Sequence, residues 1–198
     1  MSAVLEFPKA SAAKPVAVER RYQPPCISGG YAELTAKQKQ LLAIASKLGK
    51  EKFAPRSHEI DRNAVFPFAN YADMHEAGLL KICVPEAHGG WGADFATYVM
   101  TAAEIGRHCG ATALTLNMHV SSTMWMGLIA DDLDMTPEQR ANHEAHRAVH
   151  FKRVAQEGKI YSQSFSEGGA AAAGKAPFGT LAKKVDGGYV INGKKIFV

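Results

Sequence analysis

Apolar residues recur at helical spacing as far as Glu157 and at strand spacing after Gly158, and this single change of period limits the fold most. A 3.6-residue repeat puts one apolar stripe on each helix, and a two-residue repeat puts one apolar face on each strand. Helices followed by antiparallel strands make an α+β order. The reading is a flexible arm over residues 1–30, a helical bundle over 31–157, and the opening strands of an antiparallel β-domain over 158–198.

Local signals place the helices. Thr35 and Gln38 form a capping box, and Leu34, Leu41, Leu42, Ala45 and Leu48 follow at helical spacing until Pro55, which should kink or end that helix. A second helix is predicted over 68–77, with Gly78 as its stop. Asp94 caps a third, whose stripe Phe95, Tyr98, Val99, Ala102 and Ile105 should face the core. Residues 111–130 are apolar on most faces, which predicts the most buried helix. Thr136, Pro137 and Gln139 combine a cap, an N1 proline and a box partner, opening a fifth helix that runs to about residue 155.

Strands are predicted over 160–165, 180–185, 189–191 and 194–198, with hairpin turns at Asp186-Gly187 and Asn192-Gly193. The last run has no cap or polar tail, and a small meander with an open apolar strand is a poor domain by itself. The chain therefore reads as the amino-terminal piece of a longer protein.

Composition excludes several classes. Apolar content of 46% and charged content of 21% are those of an ordinary globule, and the net charge of +4 comes from scattered Lys and Arg, unlike a nucleic-acid protein. Cys26, Cys83 and Cys109 are three in number and contain no C-x-x-C, so neither a disulfide framework nor a zinc knuckle is indicated. A reducing, cytoplasmic location follows. Polar residues Asn117, His119, Ser121 and Ser122 interrupt the most apolar stretch, and the first thirty residues lack a secretory h-region.

Three features invite sharper readings. His143, His146 and His150 share a helix face, but H-E-A-H is one residue short of H-E-x-x-H, so no metal site is assigned. The stretch "PEAHGGWG" lacks a strand–loop–helix setting and reads as turn chemistry. Met124, Trp125 and Met126 suit either an acyl tunnel or ordinary helix packing.

The segments "EKFAPRSHEIDRNAVFP", "HEAGLLKICVPEAHGGWGADFATYVMTAAEIGRHCGATALTLNMHVSS", "YSQSFSEGG" and "GGYVINGKKIFV", in this order, resemble the acyl-CoA dehydrogenase family of flavoenzymes. The resemblance implies an amino-terminal helical domain, a middle β-domain and a last helical domain, of which this chain holds the first and the opening of the second. It implies FAD bound without a G-x-G-x-x-G fingerprint, α,β-dehydrogenation of an acyl thioester, a dimer or tetramer, and electron-transfer flavoprotein as a possible acceptor. The flavin contacts it implies are Gln163, Ser164, Phe165 and Ser166 on one stretch and Phe197 and Val198 on the other. The catalytic base belongs to the last domain, so no residue here is assigned to it. Gly168 stands where the family has proline, and "AAAAGK" replaces G-A-G-S-D, which weakens the case for a fatty acyl-CoA substrate. A flavin monooxygenase or acyl-CoA oxidase of the same fold, and a non-catalytic helical partner subunit, stand as alternatives.

Overall fold

The Thr35 hydroxyl accepts from the Gln38 N–H at 3.2 Å while the Gln38 side chain accepts from the Thr35 N–H at 3.0 Å, so the capping box that opens the first helix is formed. The computed structural model describes residues 34–169 and 176–196. The arm predicted over 1–30, together with Cys26, Phe197 and Val198, lies outside the described residues, as does the "AAAAGK" run at 170–175.

Helix α1 (Ala36–Leu48) does not end before Pro55. It passes through one π-helical turn, Gly49–Phe53, into α2 (Ala54–Asn63). The Ala54 N–H reaches back to the Gly49 carbonyl, and Pro55 falls in the first turn of α2, where its missing N–H breaks no bond. The proline is accommodated by widening the helix.

α3 (Phe68–Glu76) and its stop at Gly78 (φ 78°) follow the sequence reading. α4 (Phe95–Gly106) is capped by Asp94, which accepts from the Thr97 N–H at 2.8 Å. Its core face differs from the predicted stripe. Tyr98 and Ile105 are buried, but Phe95 and Val99 are exposed, and Thr97 and Thr101 take their places inside. Burying Thr101 is permitted because its hydroxyl donates to the Thr97 carbonyl at 2.8 Å.

The apolar stretch over 111–130 is two helices, α5 (Gly110–Met126) and α6 (Leu128–Asp131), broken at Gly127. α5 is not buried all round. Leu116, His119, Val120, Thr123 and Met124 face the core, while Leu114 is 70% and Trp125 66% exposed. α7 (Pro137–Glu157) forms its capping box and ends at Gly158 in the left-handed region, φ 63°.

α1 packs on α4 and α4 on α5, and the turns at Leu79–Lys81 and Glu86–His88 join α7 to this layer. Leu41, Phe53, Leu79, Ile105, Leu116 and Phe151 form the shared core. Among the described residues no helix is long and apolar enough to cross a membrane.

β1 (Leu181–Val185) and β2 (Gly188–Asn192) form an antiparallel hairpin through Asp186 and Gly187, pairing Leu181 with Asn192 and Val185 with Gly188. Every residue of both strands is exposed. Residues 160–165, predicted as a strand, form no strand and have no ladder partner. Residues 194–196 likewise form no strand, although the Ile196 N–H donates to the Ser166 carbonyl at 3.0 Å.

Candidate functional site

The strip 163–166 leaves α7 through Gly158 and is tied to the bundle before it begins. The Tyr161 N–H donates to His119 Nδ1 at 3.1 Å, and the Tyr161 hydroxyl lies 2.7 Å from His150 Nδ1. A backbone N–H only donates, so Nδ1 of His119 is unprotonated and its Nε2–H donates to the Leu80 carbonyl at 2.8 Å. Burial holds the His119 pKa below the ordinary imidazole value, and the bond to Leu80 opposes this.

Of the strip, Ser164 and Phe165 are exposed, and Gln163 and Ser166 are half-buried. A bond from the Phe165 N–H to the Gln163 carbonyl at 2.9 Å bends the backbone locally. The Phe165 ring meets Phe178 edge-on at 5.1 Å. The strip thus offers two serine hydroxyls, a glutamine amide and an aromatic face on one short run. Those groups fit the polar edge and flat ring of a flavin, whose pyrimidine side takes hydrogen bonds and whose ring takes apolar contact. The structure brings Gln163, Ser164, Phe165 and Ser166 together by chain continuity.

Sequence reasoning missed the residues that hold the strip. Glu167 is buried, and its carboxylate accepts from the Gly179 N–H at 2.6 Å and the Thr180 N–H at 3.0 Å and pairs with Lys195 Nζ at 2.8 Å. Hydrogen bonding to Lys195, then to Thr180 and the Gly179 amide, brings its pKa down to about 2. Lys195 also donates to the Phe165 carbonyl at 3.3 Å and sits 4.6 Å from the centre of the Phe178 ring. The visible signal was an acid in "YSQSFSEGG" and a base in "NGKKIF", but no local rule joins residues that far apart.

The other readings resolve differently. His143 bonds to the Met126 carbonyl, His146 to the Asn142 carbonyl and His150 to Tyr161, and no cluster of three or more metal-ligating side chains occurs among the described residues. In "PEAHGGWG" the backbone folds on itself. The Gly92 N–H donates to the Val84 carbonyl at 2.9 Å, the Trp91 N–H to the Lys81 carbonyl at 3.1 Å, and the Trp91 indole to the Gly78 carbonyl at 3.0 Å. Lys37 closes the turn from α1, pairing with Glu86 and donating to the Trp91 carbonyl. Of the methionine–tryptophan trio, Met124 is core and Trp125 is exposed.

Comparison with known proteins agrees with this architecture. The family model described as "Acyl-CoA dehydrogenase, N-terminal domain" matches residues 35–157. The chain is similar to the probable acyl-CoA dehydrogenase YngJ of Bacillus subtilis (strain 168), with 29% identity over 84% of this chain and 40% of that protein. It is similar to the cyclohex-1-ene-1-carbonyl-CoA dehydrogenase of Syntrophus aciditrophicus (strain SB), with 31% identity over 84% of this chain and 37% of that protein. The chain thus spans about 40% of the first relative's length and somewhat less of the second. Crystalline FMN-bound TdsC of Paenibacillus sp. A11-2, a dibenzothiophene monooxygenase, shares the fold with a TM-score of 0.63 and 24% identity over 79% of this chain and 35% of that one. Since the N-terminal-domain model spans residues 35–157 of 198, this chain belongs to the acyl-CoA dehydrogenase family.

Proposed function

We propose that this chain is the helical domain (31–157) and the start of the β-domain (158–198) of an FAD-dependent oxidoreductase that desaturates an acyl thioester between its α and β carbons. The observation that carries the reading is the strip 163–166, with Ser164 and Phe165 exposed and Gln163 and Ser166 half-buried, on the stretch whose sequence resembles the family's flavin-edge segment. When bound, FAD supplies the acceptor for the hydride of the β carbon. Ser164 and Ser166 offer hydroxyl donors to its pyrimidine edge, and fixed donors there favour the negative charge that reduction brings. Phe165 covers ring surface. No residue of this chain takes the α-proton.

Leu114 and Trp125 of α5 and Phe95 and Val99 of α4 are apolar side chains left exposed, in keeping with an acyl chain or a covering domain of the whole protein. Assembly as a homo-oligomer and electron transfer to an electron-transfer flavoprotein belong to the same proposal.

Anaerobic mixing of the flavin-loaded holoprotein with acyl-CoAs of graded chain length tests it. Bleaching of the oxidised flavin band by at least one thioester is expected. If none bleaches it, and the externally reduced protein instead consumes oxygen with incorporation into an added substrate, the same fold serves monooxygenation. The "AAAAGK" sequence in place of G-A-G-S-D keeps that second reading in play.

A further inference from the structure

We propose that Glu167 is the positioning residue of the strip 163–166, joining positions 179–180 and 195 into one clasp that sets the strip against the chain at 195–196. The proposal rests on the reading of that strip as the flavin edge.

Three observations converge. Glu167 is only 6% exposed, yet it carries a full set of partners: two backbone N–H groups and one ammonium. All three partners donate and none accepts, so the site is built for an ionised carboxylate. Its depressed pKa agrees. Second, Lys195 works on both sides of Ser166, pairing with the Glu167 carboxylate and donating to the Phe165 carbonyl. Third, the Ser166 carbonyl itself accepts from the Ile196 N–H, so the residue whose hydroxyl is offered to the flavin is held by its own backbone and by both neighbours.

Close packing makes the arrangement specific. A Cβ on Gly193 would lie 2.1 Å from the Thr180 hydroxyl oxygen, so the chain at 193 passes directly against the residue that Glu167 holds. The strip has no ladder partner of its own, and a ladder would otherwise fix its register. Its geometry therefore depends on this carboxylate together with the Ile196 and Lys195 bonds to its backbone.

Substitution separates a clasp from a simple ion pair. Glu167→Gln replaces one acceptor oxygen with an amide N–H₂ that faces a donor, and leaves a single oxygen as acceptor. Glu167→Asp keeps the charge on a shorter arm. The exchanged pair Glu167→Lys with Lys195→Glu keeps the ion pair but removes the acceptor for the Gly179 and Thr180 N–H groups.

The experiment is amide hydrogen exchange and backbone chemical shifts on the isotope-labelled full chain, with the helical amides of residues 36–157 as the folding control. Glu167→Gln should speed exchange at Gly179, Thr180 and Ile196 roughly tenfold or more and shift the 164–166 resonances, with the helices unchanged. Glu167→Asp should recover part of the protection, and the exchanged pair should recover none. The visible spectrum of the flavin-loaded Glu167→Gln holoprotein should move as well. Unmoved 164–166 resonances in Glu167→Gln, or full restoration by the exchanged pair, would overturn the proposal. A displaced strip beside an unchanged flavin spectrum would support the clasp and refute the assignment of the strip to the flavin.

Discussion

His119 and the backbone of Tyr161 are joined by a 3.1 Å hydrogen bond in which the ring nitrogen Nδ1 accepts, while the opposite nitrogen reaches the Leu80 carbonyl. One side chain in the middle of α5 thereby ties the turn after α3 to the segment that leads into the candidate flavin strip. His119 is fully buried and spends both nitrogens on backbone groups, so its neutral form and its tautomer are set by the fold.

Replacing His119 with alanine leaves the Tyr161 N–H and the Leu80 carbonyl without partners in a buried cavity. Urea unfolding should show a loss of about 2–4 kcal/mol. The pH dependence has a definite sign. The folded pKa lies below the ordinary value of 6.5, so the unfolded chain binds a proton that the folded chain refuses. This contribution is complete above pH 6.5 and is lost as pH falls toward the folded pKa, and His119→Ala should remove that part of the slope.

Gly90 and Gly89 should respond differently to alanine. A Cβ on Gly90 would lie 2.0 Å from the Val84 carbonyl oxygen, a backbone atom that cannot turn aside, whereas Gly89 has φ 80° and open space around it. Gly90→Ala should cost more than about 3 kcal/mol because packed backbone must move. Gly89→Ala should cost about 1–2 kcal/mol from the left-handed conformation alone. Parallel thermal melts decide the order.

Asn70 is fully buried and links three helices. Its carbonyl accepts from Arg56 at 2.9 Å, and its amide donates to the Thr112 hydroxyl at 2.8 Å, which continues to the Cys109 sulfur at 3.1 Å. Asn70→Ala should destabilise the bundle by about 2–3 kcal/mol, since Thr112 loses its donor inside the core. A denaturation midpoint no different from wild type would rule this network out as a source of stability.

Cys83 should be inert in the folded chain. Burial, assisted by the nearby Asp94 charge, pushes its thiol up to about 12. Iodoacetamide at neutral pH followed by peptide mass mapping should find Cys83 unmodified in native protein and modified in urea.

Ser166→Ala in the flavin-loaded holoprotein tests the strip itself. A donor to a reduced, anionic flavin is worth about 1.5–3 kcal/mol more than one to the neutral ring. The midpoint potential should therefore fall by roughly 30–65 mV with little change in folding. An unchanged potential with flavin still bound would place Ser166 away from the ring.

Local chemistry was readable wherever the interacting atoms lie within one turn of chain. Thr35 with Gln38, Thr136 with Gln139, and Asp94 with Thr97 bond as their spacing implies, and Gly78 and Gly158 take the left-handed conformation that ends a helix. The same holds for the hairpin turn at Asp186 and Gly187. Family membership was readable too, because it rests on many short segments kept in order.

The sidedness of α4 and α5 was not readable. Phe95 and Val99 continue the same helical repeat as Tyr98 and Ile105, and a repeat defines a face without saying what stands opposite it. Thr101 and Thr123 went inside because their hydroxyls found helix carbonyls, and Thr97 because its hydroxyl accepts from the Gln38 amide, options that hydrophobicity alone does not register. Residues 160–165 alternate like a strand but form no ladder, and the Tyr161 N–H bonds to the His119 side chain instead. Sequence by itself thus determined the capped starts of α1, α4 and α7, the stop at Gly78 and which family the chain belongs to, since caps, turns and motifs act over a few residues. Only the tertiary structure decided that His119 holds Tyr161 and that Glu167 holds Lys195, because such pairs bring together atoms 42 and 28 positions apart, and burial selects them from every donor and acceptor the chain contains.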